Sequence, residues 1–312
     1  MKVYVPEYYD KFKCIADKCK HSCCVGWEID IDDDTLERYR MLEGELGEKI
    51  RKNIAFNVEC PHFITNDSEK CPFLNENGLC DIITELGEDA LCEICDQHPR
   101  FRNFFSDRVE IGIGLCCEAA TEIVLSWKEP FRLVELEGTY DEDEQESLEE
   151  RNFFTIREGL LSIMQERAVS VLERLEKALE EIGYERFLKS KEELSRLFSS
   201  LEYMDSEFGA QLSEAFLDDD SVNVEEEWEF PLENLAVYFI MRHTADAIYG
   251  DDIRERVAFC ALCVEAILRV SVRKMRVKNL NFFDALCDTA RVFSTEIEYS
   301  TENTERIIEA MS

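Results

Sequence analysis

The sequence predicts a mostly α fold, with a loop-rich cysteine-cluster metal-binding domain over residues 1–130 followed by an irregular α-helical bundle over residues 131–312. Three observations predict it. Eleven of the fourteen cysteines stand before Glu118, in short segments broken by proline, asparagine and glycine. Beyond Phe153, apolar residues recur every three to four positions, the period of a helix packed on one side. Strand-like runs are short, Val109-Glu-Ile-Gly-Ile-Gly-Leu115 being the clearest. A chain of 312 residues accommodates two domains of the usual ~100 to 200 residues.

Residues 1–13 carry Pro6 and four aromatics, Tyr4, Tyr8, Tyr9 and Phe12, and read as an extended arm packed on the first domain. Cys14 follows. Cys19 and Cys23 stand four apart, which would place them on one face of a helical turn, while Cys24 must point elsewhere. Adjacent cysteines therefore suggest one thiolate in each of two sites, or one ligand and one buried thiol. Gly26 lets the backbone turn away, and Trp27 either roofs the cysteines or fills the core. Asp33 or Asp34 caps a helix beginning near Thr35, with Leu36, Tyr39 and Leu42 facing inward. A second short helix is expected over 46–55, and 58–74 reads as loop.

Cys71 and Cys80 flank a turn containing Asn77-Gly78, the shape of a metal-holding knuckle. Residues 81–90 read as mostly helical and deliver Cys92 and Cys95, whose Cys-x-x-Cys spacing suits a chelate, a redox pair or two buried thiols. His98 repeats the three-residue step from Cys95 and is a further candidate ligand. The strand-like run 109–115 leads into Cys116-Cys117 and a helix reaching Trp127.

In the second half, the acidic run 141–150 reads as a solvated linker or the first turn of a helix. Helices are expected over 156–164, 171–182, 188–201 and 211–217. After an exposed loop over 218–227, three longer ones are expected over 232–248, 253–272 and 282–297. Cys260 and Cys263 fall on the apolar stripe of Phe259, Ala266, Ile267 and Val270 and read as small hydrophobes, as does Cys287. The basic island Arg269, Arg273, Lys274, Arg276 and Lys278 is favourably placed at a helix C-terminus; an anion clamp is the functional alternative.

The formal charge of −34, from 35 basic and 69 acidic residues, keeps such a chain soluble and repels phosphate backbones and anionic headgroups, so neither nucleic acid nor membrane is expected as a partner. The same field attracts lysine-rich protein surfaces. No apolar stretch near Met1 resembles a secretion signal, and the most apolar run, 257–268, contains Glu265 and falls short of the ~18 residues of a membrane span. A reducing cytoplasmic location is therefore expected, where bunched thiols hold zinc, iron or an iron–sulfur cluster in preference to disulfides.

Read together, Cys19-x3-Cys23-Cys24-x-Gly26-Trp27, Cys71-Pro-Phe-Leu with Gly78-Leu79-Cys80, Leu86-Gly87-Glu88 with Cys95 and Pro99-Arg100, and Leu115-Cys116 with Glu118-Ala119 resemble the flagellin lysine-N-methylase family. The first portion also resembles small bacterial proteins that chelate zinc or iron through clustered cysteines. The resemblance covers about two fifths of the chain by motif. It implies methyl transfer from S-adenosylmethionine to lysine ε-amino groups of flagellin or another lysine-bearing protein, with an iron–sulfur centre, a 4Fe–4S cluster, or zinc. The matching thiols are Cys14, Cys19, Cys23, Cys24, Cys71, Cys80, Cys95 and Cys116. Cys60, Cys92 and Cys117 fall outside the shared pattern, and Cys117 stands where the family usually has proline. Eight thiols exceed the four that one cluster needs, leaving open a second site or a set of structural thiols.

Methyl transfer to an amine needs an aligned, deprotonated lysine and a place for the nucleoside. Glu118, Glu28 and Asp30 are the carboxylates near the cysteines that would serve as base. The one glycine-rich candidate for a cofactor turn is Gly112-Ile-Gly114, without an alternating α/β pattern around it. The Cys-x3-Cys-x2-Cys triplet of radical enzymes is absent, because Cys24 follows Cys23 at once. The alternative function is a non-catalytic zinc- or iron-binding interaction module. A thiol–disulfide oxidoreductase built on Cys92-x-x-Cys95 lacks the βαβ setting it would need.

Overall fold

The computed structural model describes residues 1–56, 58–66, 68–139, 145–184, 190–218 and 222–312. It is mostly α, with thirteen α-helices among the described residues and six short strands. The chain divides into two compact units, one of Lys13–Arg100 and one of Met1–Phe12 with Phe101–Ser312. The boundary expected at residue 130 does not coincide with this division. Residues 101–130 pack with the helices that follow them, and the N-terminal arm belongs with them as strand β1 (Lys2–Pro6).

The smaller unit begins with loops and single 3-10 turns through Trp27. Cys19 and Cys23 lie in this irregular stretch rather than on a helical turn, Cys19 having an extended backbone. Helix α1 (Asp33–Met41) starts two residues earlier than expected because Asp32 is the cap: one carboxylate oxygen accepts from the Thr35 N–H at 2.9 Å and the other from the Glu93 N–H at 2.8 Å. Leu36 and Tyr39 are buried, and the Tyr39 hydroxyl donates to the Ala90 carbonyl.

Helix α2 (Gly44–Lys52) gives way to β2 (Ile54–Ala55), which pairs antiparallel with β3 (His62–Phe63). The expected loop over 58–74 thus contains a strand. Helix α3 (Asp81–Leu86) stops at Gly87, whose φ of +90° suits glycine, and a 3-10 turn leads to α4 (Glu93–Gln97). Ile29, Ile50, Phe63, Phe73 and Ile82 form the centre of this small core.

In the larger unit, β1 joins β4 (Arg100–Phe104), β5 (Arg108–Ile113) and β6 (Leu133–Thr139) in the order β4-β5-β1-β6. β1 runs parallel to β5, with Val3 opposite Val109, and antiparallel to β6. Its alternation buries Val3 and Val5 against Val109 and Ile111. Helix α5 (Glu118–Ser126) follows β5.

Helices α6 (Leu148–Met164), α7 (Val171–Glu181) and α8 (Lys191–Ser199) each open on a capping box. Ser147, Ser170 and Ser190 accept from the backbone of Glu150, Glu173 and Glu193, whose carboxylates reach back. The acidic run expected to be linker or helix start supplies that start from Ser147; residues 140–144, like Leu188 at the expected start of α8, lie outside the described residues.

After α9 (Ser206–Leu217) come α10 (Glu229–His243) and α11 (Ile253–Lys278), both buried around most of their circumference and forming the centre of the bundle. Helix α12 (Phe282–Phe293) runs into a π-helical turn, Ser294–Glu298, before α13 (Thr301–Glu309) closes the chain. Cys260 and Cys263 are core residues, 2% and 0% exposed. Three of the five residues of the basic island form ion pairs: Arg269 with Glu265, Arg273 with Glu214 and Asp218, and Lys274 with Asp288. None of the described helices is long and apolar enough to cross a membrane.

Candidate metal centre

In the smaller unit backbone pairing brings distant cysteines together. The Cys71 N–H donates to the Cys24 carbonyl at 2.8 Å, and Val25 forms a bridge with Lys70. Gly26, at a φ of +91°, turns the chain away directly afterwards, as its position in the sequence suggested. The knuckle between Cys71 and Cys80 forms as expected. The Asn75 side-chain oxygen accepts from the N–H groups of Asn77 and Leu79, Gly78 takes a φ of +75°, and Leu74 bridges to Cys80. The Asp81 N–H then donates to the Phe73 carbonyl, and the Asp81 carboxylate takes Lys49 at 2.6 Å.

Cys24, Cys71, Cys80, Cys92 and Cys95 are the thiols this arrangement makes electrostatic neighbours. Cys71 feels Cys24, Cys80 and Cys92, and Cys95 feels Cys92, Cys24 and Cys71. Burial pushes the Cys71 thiol up to about 12 and raises Cys80, so neither would be anionic at neutral pH without a cation. Each is nevertheless furnished for a thiolate. The backbone of Phe73 lowers Cys71 and that of Ile82 and Ile83 lowers Cys80, each offsetting part of the rise that burial causes. Cys92 and Cys95 act on each other: a hydrogen bond between the two thiols lowers Cys92 and raises Cys95, and the Cys95 N–H donates to the Cys92 carbonyl at 3.0 Å. Cys24 is lowered to about 7, chiefly by a hydrogen bond from the Cys23 thiol.

Buried and half-buried thiols gathered in this way are the chemistry of a metal thiolate site, so the donor set fits the expected group. His98 adds an orphaned atom, its Nε2 being buried with no hydrogen-bond partner. Burial and then Arg100 lower its pKa to about 4, keeping the imidazole neutral. Its ring lies 5.7 Å from that of Trp27, whose indole donates to the Cys23 carbonyl.

Of the eight thiols that the resemblance selects, Cys24, Cys71, Cys80 and Cys95 belong to this group. Cys92, which the resemblance passes over, joins them, and its Cys-x-x-Cys spacing was the signal for it. Cys14 and Cys23 are exposed and Cys19 is half-buried on the preceding loop. The Cys19 thiol donates to the His21 carbonyl at 3.3 Å, and the Cys14 sulfur accepts from the Ala16 N–H at 3.4 Å.

Cys116 lies in the larger unit, where a polar network absent from the sequence reading surrounds it. Glu298, at the end of the π-helical turn, has a side chain with no exposure. It accepts from the Tyr238 hydroxyl at 3.1 Å, meets His243 Nε2 at 2.6 Å and pairs with Arg242 at 3.2 Å. Burial alone would raise the Glu298 carboxyl, but Arg242 and His243 outweigh it and hold it at about 2. The Tyr299 hydroxyl hydrogen-bonds Cys116, and burial raises that thiol to about 11. π-helical turns often mark functional sites, and only long-range packing, invisible to a periodicity search, assembles this one.

The glycine-rich run does not fit a nucleoside. Gly112 lies inside β5 rather than in a turn, and a Cβ built on it would stand 2.2 Å from the Phe101 ring, which occupies the space a cofactor would need. The cavity there, lined by Tyr8, Phe101, Phe131 and Met241 among others, measures about 10 Å³, room for about one water. Of the carboxylates considered as base, Glu118 opens α5, whereas Glu28 and Asp30 converge on His62.

A mostly α chain with thiols clustered on loops is thus the class that fold and site define. No family model matches the chain, and no solved structure matches it. It is similar to curated proteins. Over 131 residues it is 27% identical to the Lysine-N-methylase of Salmonella typhimurium strain LT2, covering 39% of this chain and 32% of that protein. The Lysine-N-methylase of Salmonella choleraesuis strain SC-B67 gives the same figures. The Flagellar biosynthetic protein FliU of Salmonella muenchen is also 27% identical over 131 residues, here 75% of its length. The match therefore spans about a third of the length of the two methylases, and agrees with the resemblance carried by the cysteine motifs.

Proposed function

We propose that the protein is a lysine N-methyltransferase that acts on flagellin or another lysine-bearing protein and holds an iron–sulfur cluster or metal ion through Cys24, Cys71, Cys80 and Cys95, with Cys92 beside them. The observation that supports the metal half is the gathering of Cys24, Cys71, Cys80, Cys92 and Cys95, buried or half-buried, around one small core. The methylase half is supported by the names of its relatives and rests on similarity over 39% of the chain.

Spacing favours a cluster over a single zinc ion. Zinc held tetrahedrally at about 2.3 Å keeps its sulfurs about 3.8 Å apart. Among the described residues, no three cysteine sulfurs lie within 4.8 Å of one another. A 4Fe–4S cluster gives each thiolate its own iron and accepts wider spacing. When bound, such a centre supplies electron transfer or Lewis acidity. The chain's own residues bury the thiols, lower Cys71 and Cys80 through the backbone of Phe73, Ile82 and Ile83, and surround them with the small core that excludes water.

S-adenosylmethionine is the methyl source in this reading, and no step is assigned to it. The net charge of −34 draws a lysine-bearing surface toward the protein.

Incubating anaerobically reconstituted protein with labelled S-adenosylmethionine and flagellin, at low and moderate salt, tests the proposal. Label on flagellin lysines that declines with salt is expected. Salt-independent label would refute steering alone. Absence of label would overturn the methylase reading in favour of a metal-binding interaction module.

A further inference from the structure

Glu28, Asp30 and His62 bring one ligand atom each to within 4.8 Å of one another, the group of three or more such donors found among the described residues. Their convergence follows from strand alternation. The Ile31 N–H donates to the Pro61 carbonyl at 2.8 Å and the Phe63 N–H to the Ile29 carbonyl at 3.0 Å, which sets Asp30 directly opposite His62. Ile29, Ile31 and Phe63 turn into the core, 1%, 4% and 2% exposed, so Glu28, Asp30 and His62 share the opposite face. Asp32, next in that series, is committed to capping α1 and α4 and does not compete.

His62 is set up as a ligand. Its Nδ1 lies 2.9 Å from the Cys60 carbonyl, which can only accept, so Nδ1 donates there and Nε2 is the ring atom turned to Glu28 Oε2, at 3.2 Å. A backbone carbonyl that fixes the tautomer through the far ring nitrogen is the usual outer support of a metal-bound histidine.

We infer that Glu28, Asp30 and His62 form a site for a divalent first-row metal ion, chemically distinct from the cysteine centre. An imidazole and carboxylates on one ion stand about 3 to 3.5 Å apart, which the His62–Glu28 pair already meets. Two oxygens and one nitrogen select ions of the manganese, iron(II) or zinc class over the soft ions that thiolates prefer. Three protein ligands leave positions open to water, as in catalytic rather than structural sites. The side chain of Glu28 is 63% exposed, so an ion reaches it from solvent.

Mn²⁺ is the probe, because it discriminates against the thiolates. Anaerobic wild-type protein, titrated at millimolar Mn²⁺ and followed by loss of the free aqua-ion resonance, is expected to bind one equivalent that His62→Ala does not. Glu28→Gln, a change at an exposed side chain that leaves the core intact, should weaken that binding at least about tenfold. Asp30→Asn should do the same. No uptake by the wild type, or equal uptake by the wild type and all three variants, would overturn the site and leave a surface histidine–carboxylate pair.

Discussion

Cysteines do opposite work in the two units. In residues 13–100, Cys71, Cys80 and Cys92 are electrostatic neighbours that border one small core, Cys71 and Cys92 buried and Cys80 half-buried. In α11, Cys260 and Cys263 sit among apolar side chains, and their thiols are raised far above the ordinary value chiefly by burial. The residue type is the same; what differs is that the first group gathers on turns and loops around one small core, whereas Cys260 and Cys263 stand on the apolar face of a long helix. In the proposed reading that gathering is what would set a ligand apart from a small hydrophobe.

The largest expected effect tests the first half of this contrast. Apparent free energies for structural metal binding run to about 10 kcal/mol or more, so under the proposed function the smaller unit would depend on its metal. Cys71→Ser should abolish metal retention and lower the melting temperature as far as exhaustive chelation lowers that of the wild type. A chelator-insensitive wild type that melts with the variant would break the comparison.

A middle-sized effect belongs to the larger unit and needs no metal. Glu298 is held at about 2, below the ordinary 4.5, so its contribution is present above pH 4.5 and is lost as pH falls from there through about 2. The shift corresponds to on the order of 3 kcal/mol. Urea unfolding of the wild type should weaken over that window, and Glu298→Gln should show a flatter dependence. The smallest effect is Cys263→Ala, a truncation of a small core side chain that should cost about 1 kcal/mol and leave metal content unchanged.

Much of the larger unit was legible because its helices bury one face with a 3.6-residue period, and Ser147, Ser170 and Ser190 announce three of them through Ser-x-x-Glu. The sheet was legible only at β5. β1 and β6 are recognisable by the pairing of β1 with β6 and with β5, across more than a hundred residues, which local pattern does not encode.

In the smaller unit, Cys71 and Cys80 could be placed from the Asn77-Gly78 turn. Their meeting with Cys24 depends on the Val25–Lys70 bridge, and the grouping of Glu28, Asp30 and His62 on a pairing 32 residues apart, counted from Asp30 to His62. Residue type and spacing identify donors; cross-chain register decides which of them meet.

The most direct test of the central claim is iron, zinc and acid-labile sulfide analysis, with an absorption spectrum, on protein purified anaerobically after expression with iron and zinc supplied. Wild type should carry about four iron and four sulfide per chain with a broad visible band, and Cys71→Ser/Cys80→Ser should carry neither. Colourless, metal-free wild-type protein, or equal metal in the variant, would contradict the account.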